Sequence, residues 1–328
     1  MDYKKNKRYR LNGKKTNKKK YKKKNKKNKK NKKNKKNKKT KKTKKTKKTK
    51  KNLYCSPKNK NEFLDFSCYK PEMLHKMKAI WNKRHPSMSI NSNNLKEIWN
   101  SLGHYMKNSC SSESCWIKNN LFKNNFTANE MKNIFSPKQP TEWEKNPNEW
   151  LSSIEILELM KQYEDAYKCF QFIGPTPIDF DERLAYGECV WDDLCNLNLK
   201  EKIDKRINKI GIIFNLDTHD KPGSHWTCMF INLKLKEIYY FDSYGDDLTP
   251  KRVKTLAKRI QEQSKEFGKP YEFKINRIRH QYTRSECGMY CLFFIIQMIK
   301  DVPFSRFNKK VRDKHMRHLR NVYFNKKK

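Results

Sequence analysis

Cys287 is the residue of this sequence whose type and position are best suited to chemistry. It stands with Gly288 directly before the longest apolar run of a polar chain, in SECGMYCLFFIIQMI. The run predicts a helix that begins at Cys287, where the helix dipole and the free backbone N–H groups favour a thiolate over a thiol. A thiolate is a nucleophile, so the pattern indicates nucleophilic catalysis. The alternative is that Cys287 is a small core residue, as most free cysteines are.

A base and an acid that could serve this nucleophile lie upstream. His225 opens the segment HWTCMFINL, and Asp242 closes the segment IYYFD. If the two segments are the strands of a hairpin, these ends lie side by side and the two side chains become neighbours. An imidazole that a carboxylate holds in one tautomer is a suitable general base. The alternative is a surface histidine near a strand end and an aspartate in a turn.

Gln281 could complete the site, since it lies six residues before Cys287. Its side-chain amide and the backbone N–H of Cys287 would together form an oxyanion hole. The alternative is an ordinary loop glutamine. Gly288 would allow the chain to pack closely where a side chain would obstruct it.

The elements that must position these residues are strands enclosed by helices. Ser152 and Glu155 have the spacing of a capping box before an apolar helix face. The segments IGIIFNL, HWTCMFINL, LKEIYYFD and YEFKINRI predict strands. TPKRVKTLAKRIQEQSKEFG predicts a helix with Pro250 inside its start and Gly268 at its end. This order predicts an α+β domain over residues 141–328.

A helical region precedes this domain. PEMLHKMKAIWNK, NNLKEIWNSLGHYM and TANEMKNIF carry apolar residues at helical spacing. A proline-rich joint, SPKQPTEWEKNPNEW, follows them. The sequence therefore predicts a small helical arm domain over residues 53–140, whose apolar stripes form its own core. It contains no predicted catalytic constellation.

Charge is concentrated at the N-terminal end. Residues 1–51 hold 31 lysines and arginines and one acidic residue, and so carry +30 of the formal net charge of +44. Residues 1–52 are predicted to be a disordered Lys-rich tail, because a repeat such as KKNKKNKKT buries too little apolar surface to offset its ordering entropy. This charge predicts binding of nucleic acid without sequence preference. The alternative is a solvated, solubilising or nuclear-targeting segment.

Targeting, membrane and metal signals are weak. The N-terminal charges are not followed by the apolar region of a secretory signal, and the best apolar run, Cys291–Ile299, is shorter than a membrane span requires. Ten cysteines in such a chain predict free thiols in a reducing compartment rather than a disulfide scaffold. Cys110 and Cys115 have loose spacing for zinc, and no paired cluster follows them, so no metal site is predicted.

Together these motifs resemble those of the adenovirus-type and SUMO-protease superfamily of cysteine proteases. GSHW, YYFDSYG and HQYTRSECGMYC are similar to the superfamily pattern HW…D…Q-x4-[DE]CG, with Trp226 after the histidine and Glu286 before the cysteine. EWLSSIEI resembles the WL-x-D opening of the SUMO proteases, with Ser153 where an acid is common. FIGPTPIDFD and WNKRHPSMSI…CSSESCWI are more similar to thiol proteases of large DNA viruses such as mimivirus.

The resemblance implies a papain-like-superfamily fold with a central mixed sheet flanked by helices, preceded by the arm and the tail. It implies a cysteine endopeptidase that processes viral core or structural precursor proteins, with Gly-Gly-x as the expected cleavage site. Cys287, His225 and Asp242 would be its triad, Gln281 its oxyanion donor and Trp226 a substrate-binding residue. Neither a metal nor an organic cofactor is implied.

Two other functions remain open at this point. A deconjugase that removes SUMO or another ubiquitin-like protein would use the same four residues, although Ser153 departs from the SUMO-protease pattern in a substrate-docking region. A nucleic-acid-packaging protein with an inactive protease fold would account for the tail. The viral resemblance implies localisation in the virion and the host cytoplasm (the virus factory), or the nucleus if the tail is a targeting signal.

Overall fold

The computed structural model describes residues 54–58, 64–246 and 248–325. The tail predicted over residues 1–52 lies outside these ranges, so its disorder and its binding of nucleic acid stay predictions. The two boundaries between the three predicted segments, 1–52, 53–140 and 141–328, also stay predictions.

A mixed sheet forms the centre of the C-terminal part of the chain. Five strands can be assigned in the described residues, in the spatial order β1-β2-β3-β4-β5. The outer pairs, β1 with β2 and β4 with β5, are parallel, whereas β2–β3 and β3–β4 are antiparallel. The strands are β1 (Phe170–Pro177), β2 (Lys209–Asn215), β3 (Trp226–Asn232), β4 (Glu237–Phe241) and β5 (Glu272–Ile275). This sheet confirms the predicted fold class.

Helices cover both faces of the sheet. The side chains of β3 alternate between the two faces, as the pleat requires. Trp226 and Phe230 pack on one face, and Met229 and Ile231 pack on the other. The first face carries α6 (Ser153–Ala166), α10 (Cys287–Ile299) and α11 (Asp313–Tyr323), and the second carries α7 (Asp192–Cys195), α8 (Leu199–Asp204) and α9 (Lys251–Ser264).

Helix α10 is the central helix of this domain. Of its thirteen residues, twelve are buried, and the half-buried one is Gln297. A helix that is apolar on every side has to be buried on every side, which explains the long apolar run in the sequence. The predicted start of this helix at Cys287 is confirmed.

The predicted capping box of α6 is also present. Glu155 Oε2 accepts a hydrogen bond from the Ser152 backbone N–H at 2.7 Å, and Ser152 Oγ accepts one from the Ile154 N–H at 3.2 Å. Two backbone donors of the first turn are thereby satisfied. This cap fixes where α6 begins, directly after Trp150 and Leu151.

The region before the sheet is helical and has its own apolar cluster, which includes Leu74, Met77, Leu102 and Phe122. The third predicted helix is reduced to one turn after the capping box of Thr127. The helices are α1 (Pro71–Arg84), α2 (Leu95–Met106), α3 (Glu113–Trp116), α4 (Ala128–Met131) and α5 (Glu142–Lys145), and short 3-10 turns span Pro86–Met88, Lys265–Phe267 and Phe304–Asn308.

Strand β1 was not predicted as a strand. Its sequence FQFIGPTP contains Gly174 and Pro175, which argue against a strand within a sheet because proline cannot donate to the ladder. The structure accommodates them because β1 is an edge strand whose pairing with β2 is irregular between Ile173 and Thr176. A proline tolerated only at an edge gives no strand signal in the sequence.

The prediction of free thiols is wrong for six cysteines. Disulfides join Cys55 to Cys68, Cys110 to Cys115, and Cys189 to Cys195, whereas Cys169, Cys228, Cys287 and Cys291 are free. The three pairs have Cα–Cα distances of 5.0, 5.4 and 6.3 Å, within the reach of a disulfide. Among the described residues no group of three or more metal-ligating side chains could hold a metal ion, and no helix is long and apolar enough to cross a membrane.

Loss of the α6 cap is expected to destabilise the fold. Replacing Ser152 by Ala removes the hydroxyl that accepts from the first turn, and should lower the free energy of unfolding by about 1 kcal/mol. Urea denaturation of the variant measures this loss. Ser153→Ala is the matched control, since this exposed neighbour does not cap the helix. An equal loss in both variants would show that the cap is not the cause.

Candidate active site

His225, Asp242 and Cys287 meet at one end of the hairpin. His225 directly precedes β3 and Asp242 directly follows β4, and the register of these antiparallel strands brings the two ends together. His225 Nε2 lies 2.8 Å from Asp242 Oδ1. The thiol of Cys287, the first residue of α10, also interacts with this imidazole and contributes to raising its pKa. The structure therefore brings together a nucleophile, a base and an acid that the sequence separates by 62 residues.

The contacts of Asp242 determine how the imidazole is used. Because His225 Nε2 faces the carboxylate, the ring nitrogen left for the Cys287 thiol is Nδ1. Asp242 Oδ1 also accepts from the Tyr244 backbone N–H at 2.9 Å. The Tyr244 N–H thus fixes the Asp242 carboxylate, and the carboxylate holds the His225 ring in one orientation.

The imidazole of His225 is strongly basic in this environment. Burial alone lowers the pKa of His225, but the hydrogen bond with Asp242, the contact with Cys287 and the negative charges of both outweigh it and raise the pKa to about 9. An imidazolium beside a thiol favours the thiolate form of the thiol. The His225 ring is therefore an imidazolium at neutral pH, which is the charge that a thiolate nucleophile requires beside it.

Tyr244 and Arg279 extend the site on one side of His225. The Tyr244 ring stacks on the imidazole, with 4.6 Å between centroids and 17° between planes. Burial and, second, the charge of Cys287 raise the pKa of Tyr244. The Arg279 guanidinium lies over the Tyr244 ring at 5.4 Å. Tyr244 belongs to the motif YYFDSYG, but the sequence does not predict it as a site residue, because a tyrosine in a turn gives no signal of stacking.

Gln281 lies in the loop that leads into α10 and is fully buried. Ser243 Oγ donates to its Oε1 at 2.6 Å, which places the amide nitrogen on the other side. That nitrogen donates to the carbonyl of Thr283 at 2.6 Å. A side-chain amide has two N–H groups, so the contact with Thr283 uses one of them.

Gly288 and Trp226 pack together beside the nucleophile. A Cβ at Gly288 would lie 3.0 Å from the Leu151 side chain and 3.3 Å from Trp226 Cδ1, so a larger residue would push both away. The Trp226 indole N–H donates to the Leu151 carbonyl at 2.9 Å. The absence of a side chain at Gly288 therefore allows the segment before α6 to approach the start of α10.

A cleft of about 460 Å³ opens beside these residues. Trp226 lies on its wall, 7% exposed, and Trp150, 40% exposed, lies on the same cleft. Ser153, which replaces an acid of the SUMO-protease pattern, also lines it. Trp150 belongs to the segment EWLSSIEI, which resembles the opening of the SUMO proteases, but it was not predicted as a site residue. The sequence feature that could have indicated it is its position directly before Leu151 in that segment.

The second cysteine of α10 lies in the core. Cys291 is completely buried, and burial raises the pKa of its thiol well above the ordinary value. The Cys228 thiol donates weakly to the Cys291 carbonyl at 3.9 Å. Cys291 is thus a packed thiol beneath the site.

Comparison with known proteins gives a consistent picture. A sequence model of the Ulp1 protease family, C-terminal catalytic domain, matches residues 154–328. A candidate thiol protease of Acanthamoeba polyphaga mimivirus is 32% identical over 216 residues, which cover 66% of this chain and 70% of that protein. A cysteine protease of African swine fever virus is 25% identical over 231 residues, which cover 66% of this chain and 83% of that protein, and in three isolates it is named a SUMO-1 cysteine protease.

The solved structures agree on the fold. The crystal structure of the African swine fever virus protease has a TM-score of 0.61 to this chain at 20% identity, covering 85% of this chain and 98% of that one. At this level of identity the likeness shows a shared fold alone. The adenovirus-type part of the resemblance seen in the sequence stays a prediction.

The basicity of His225 gives a testable pH dependence. A group whose pKa is raised on folding stabilises the folded state below its unfolded pKa, about 6.5, and this stability is lost as the pH rises through about 9. In an NMR titration we therefore expect the His225 ring to remain an imidazolium at pH 7.5. Asp242→Asn should move its titration midpoint to lower pH. A midpoint near 6.5 in the wild type would contradict the pairing with Asp242 and Cys287.

Proposed function

Since the chain belongs to the Ulp1 protease family and is a cysteine-type peptidase, we propose that it is an endopeptidase that processes viral core or structural precursor proteins after Gly-Gly. The observation that carries this proposal is the contact of the His225 imidazole with both the Asp242 carboxylate and the Cys287 thiol. The same contact argues against an inactive fold that only packages nucleic acid.

The proposed reaction uses the three residues in order. The Cys287 thiolate attacks the scissile carbonyl carbon, and the carbonyl electrons move to the oxygen. As the C–N bond breaks, the His225 imidazolium gives its proton to the leaving amine and an acyl-enzyme thioester remains. A water molecule that His225 deprotonates then attacks the thioester, which releases the new carboxyl terminus and returns the thiolate–imidazolium pair. Asp242 orients the ring throughout and does not exchange the proton.

The oxyanion of this reaction would form at the start of α10. The backbone N–H of Cys287 is one donor, and no side chain among the described residues caps this helix end. The second donor is the N–H of Gln281 that the Thr283 carbonyl does not use. Ser243 fixes the rotation of this amide, so the donor is oriented before substrate binds.

Preference for glycine would come from the cleft beside Trp226. The indole is fixed by the Leu151 carbonyl and packed against Gly288, so it cannot swing aside to admit a bulky side chain. Residues that lead to the scissile bond would pass between this ring and the nucleophile. Glycine has no side chain to accommodate there.

A deconjugase of ubiquitin-like proteins is the second candidate. It would use the same catalytic residues, and the name SUMO-1 cysteine protease of the African swine fever virus relative favours it. Ser153 on the cleft, where the SUMO proteases commonly have an acid, favours the endopeptidase. Incubation with viral core precursors and with fusions to ubiquitin-like proteins, followed by mass spectrometry of the products, separates the two.

Replacement of the nucleophile gives the first test of the mechanism. Cys287→Ala should abolish cleavage and leave the fold intact, because it removes the thiol and little packing volume. Cys291→Ala is the matched control, since it removes a thiol one turn along the same helix. We expect it to remain active in a peptide-cleavage assay. Cleavage at the wild-type rate by Cys287→Ala would refute the mechanism.

Cleavage preference gives the second test. Matched peptides with Gly-Gly, Gly-Ala, Ala-Gly or Ala-Ala before the scissile bond should be cut best when Gly-Gly is present. Trp226→Ala should discriminate among them less, because the fixed ring is gone. The ratio of kcat/KM values for Gly-Gly and Ala-Ala measures the effect. Efficient cleavage after Ala-Ala by the wild type would show that Trp226 does not restrict the site.

A further inference from the structure

A buried arginine of the last helix contacts the residues directly before the nucleophile. Arg320, on α11, is 3% exposed. Its Nε donates to Glu286 Oε2 at 2.9 Å, and one terminal nitrogen donates to the Ser285 carbonyl at 3.0 Å. The other terminal nitrogen donates to the Glu149 carbonyl at 2.6 Å. One guanidinium thus connects α11, the loop that ends at Cys287, and the segment before α6.

The contact of Arg320 with the Glu149 carbonyl links it to the segment that lines the cleft. Glu149 directly precedes Trp150 and Leu151, and the Leu151 carbonyl holds the Trp226 indole. The Arg320 guanidinium also lies over the Trp143 ring at 4.5 Å. The position of the acyl-side wall relative to the nucleophile therefore depends on the same side chain. Only arginine has a planar fork of donors that can serve three acceptors at once.

Stability alone is a weak reason for this arrangement. Glu286 is 1% exposed, and the two charges form a buried ion pair. The cost of removing two charges from water offsets most of their attraction, so apolar residues of similar size often stabilise a core as well or better. Burial raises the pKa of Glu286, and the positive charge of Arg320 acts in the opposite direction. The positive charge of Arg320 thus offsets part of the cost of an ionised carboxylate one residue before Cys287.

We propose that Arg320 is a positioning residue for the nucleophile. It balances the Glu286 carboxylate, so that no uncompensated negative charge stands beside the Cys287 thiolate, and it fixes the backbone from which Cys287 and the cleft segment project. The proposal rests on the proposed function only in assigning Cys287 as the nucleophile. Arg320 itself acts through Glu286 and does not contact substrate.

Several other charged and titratable groups surround Cys287 and Glu286 and contribute to the pH dependence of the thiol. Facing the Cys287 thiol from the sheet side are His225, Asp242 and Tyr244, and beneath it lie Cys228 and Cys291. Facing Glu286 from α11, in addition to Arg320, are Asp313 and Arg317.

The test is the pH dependence of Cys287 alkylation by iodoacetamide, followed for each cysteine by mass spectrometry. Arg320→Gln removes the counter-charge of Glu286, which disfavours the thiolate. The acid limb of the profile should move to higher pH, and the rate at pH 6 should fall on the order of tenfold. Glu286→Gln leaves the guanidinium uncompensated and should move the limb in the opposite direction. The double variant should return to within about twofold of the wild type.

Two further variants separate the effect of the Arg320 charge from the effect of its hydrogen bonds. Lys314→Gln removes an exposed charge from the same helix and should leave the profile unchanged, because exposed charges are screened. Arg320→Lys keeps the charge but cannot reach three acceptors. Its acid limb should stay at the wild-type pH while kcat for peptide cleavage falls.

A structural role alone would give a different result. If Arg320→Gln lowers the melting temperature while its acid limb coincides with that of the wild type, the proposal is wrong. If Arg320→Gln does not fold, the test relies on Glu286→Gln. The proposal is also wrong if the acid limb of the Cys287 alkylation profile is unchanged in Glu286→Gln. Alkylation requires no cleavage. A wild type that cuts no Gly-Gly substrate would overturn the proposed function, and the opposite shifts of the two single variants would still establish the role of Arg320.

Discussion

The active site depends on the packing of α10 against β3. Cys287 is the first residue of the helix, and His225 directly precedes the strand, so the distance between thiol and imidazole is set by how the helix lies on the sheet. Because α10 is buried on all sides and protein interiors are close-packed, the helix has little room to slide or rotate. The thiol–imidazole contact is therefore as rigid as the core itself, and core and active site share the same side chains.

The other catalytic groups are fixed by contacts between two loops. The Ser243 carbonyl accepts from the backbone N–H groups of His280 and Gln281, at 2.8 and 2.9 Å, and joins the loop after β4 to the loop before α10. Gly245 permits this approach, since its φ is +65° and a Cβ there would lie 2.4 Å from the Ile278 carbonyl carbon. The pKa values of His280 and His225 differ because the two rings have different environments. Burial, with nearby positive charges, lowers the pKa of His280 to about 4, so this ring is a neutral structural partner, whereas His225 is the base of the proposed reaction.

The sequence predicts the parts of this site that rest on local patterns. The start of α10 follows from an apolar run after Cys287, and the neighbouring positions of His225 and Asp242 follow from a hairpin between two apolar segments. Contacts between distant segments leave no such pattern. Arg320 lies 34 residues after Glu286, on a helix whose sequence contains several other basic residues, and nothing local distinguishes it from them. The disulfides were not predicted for a related reason. The cysteine content of a sequence indicates only the redox compartment of the protein, whereas disulfide pairing depends on which loops bring two Cα atoms together.

The geometry also implies that substrate selection and chemistry are physically coupled in this protein. Leu151 contacts Gly288 beside the nucleophile, and its carbonyl holds the Trp226 ring that would restrict the substrate. The guanidinium of Arg320 joins the same segment to the residues before Cys287. A shift of the cleft wall is therefore transmitted to the start of α10 through direct contacts, without any flexible connection between them. A misplacement of about 1 Å at a reacting centre can cost two orders of magnitude in rate. In the proposed reaction, a substrate that displaces Trp226 would therefore lose turnover as well as affinity. The proposed discrimination against bulky residues would then act on kcat, where excess substrate cannot overcome it.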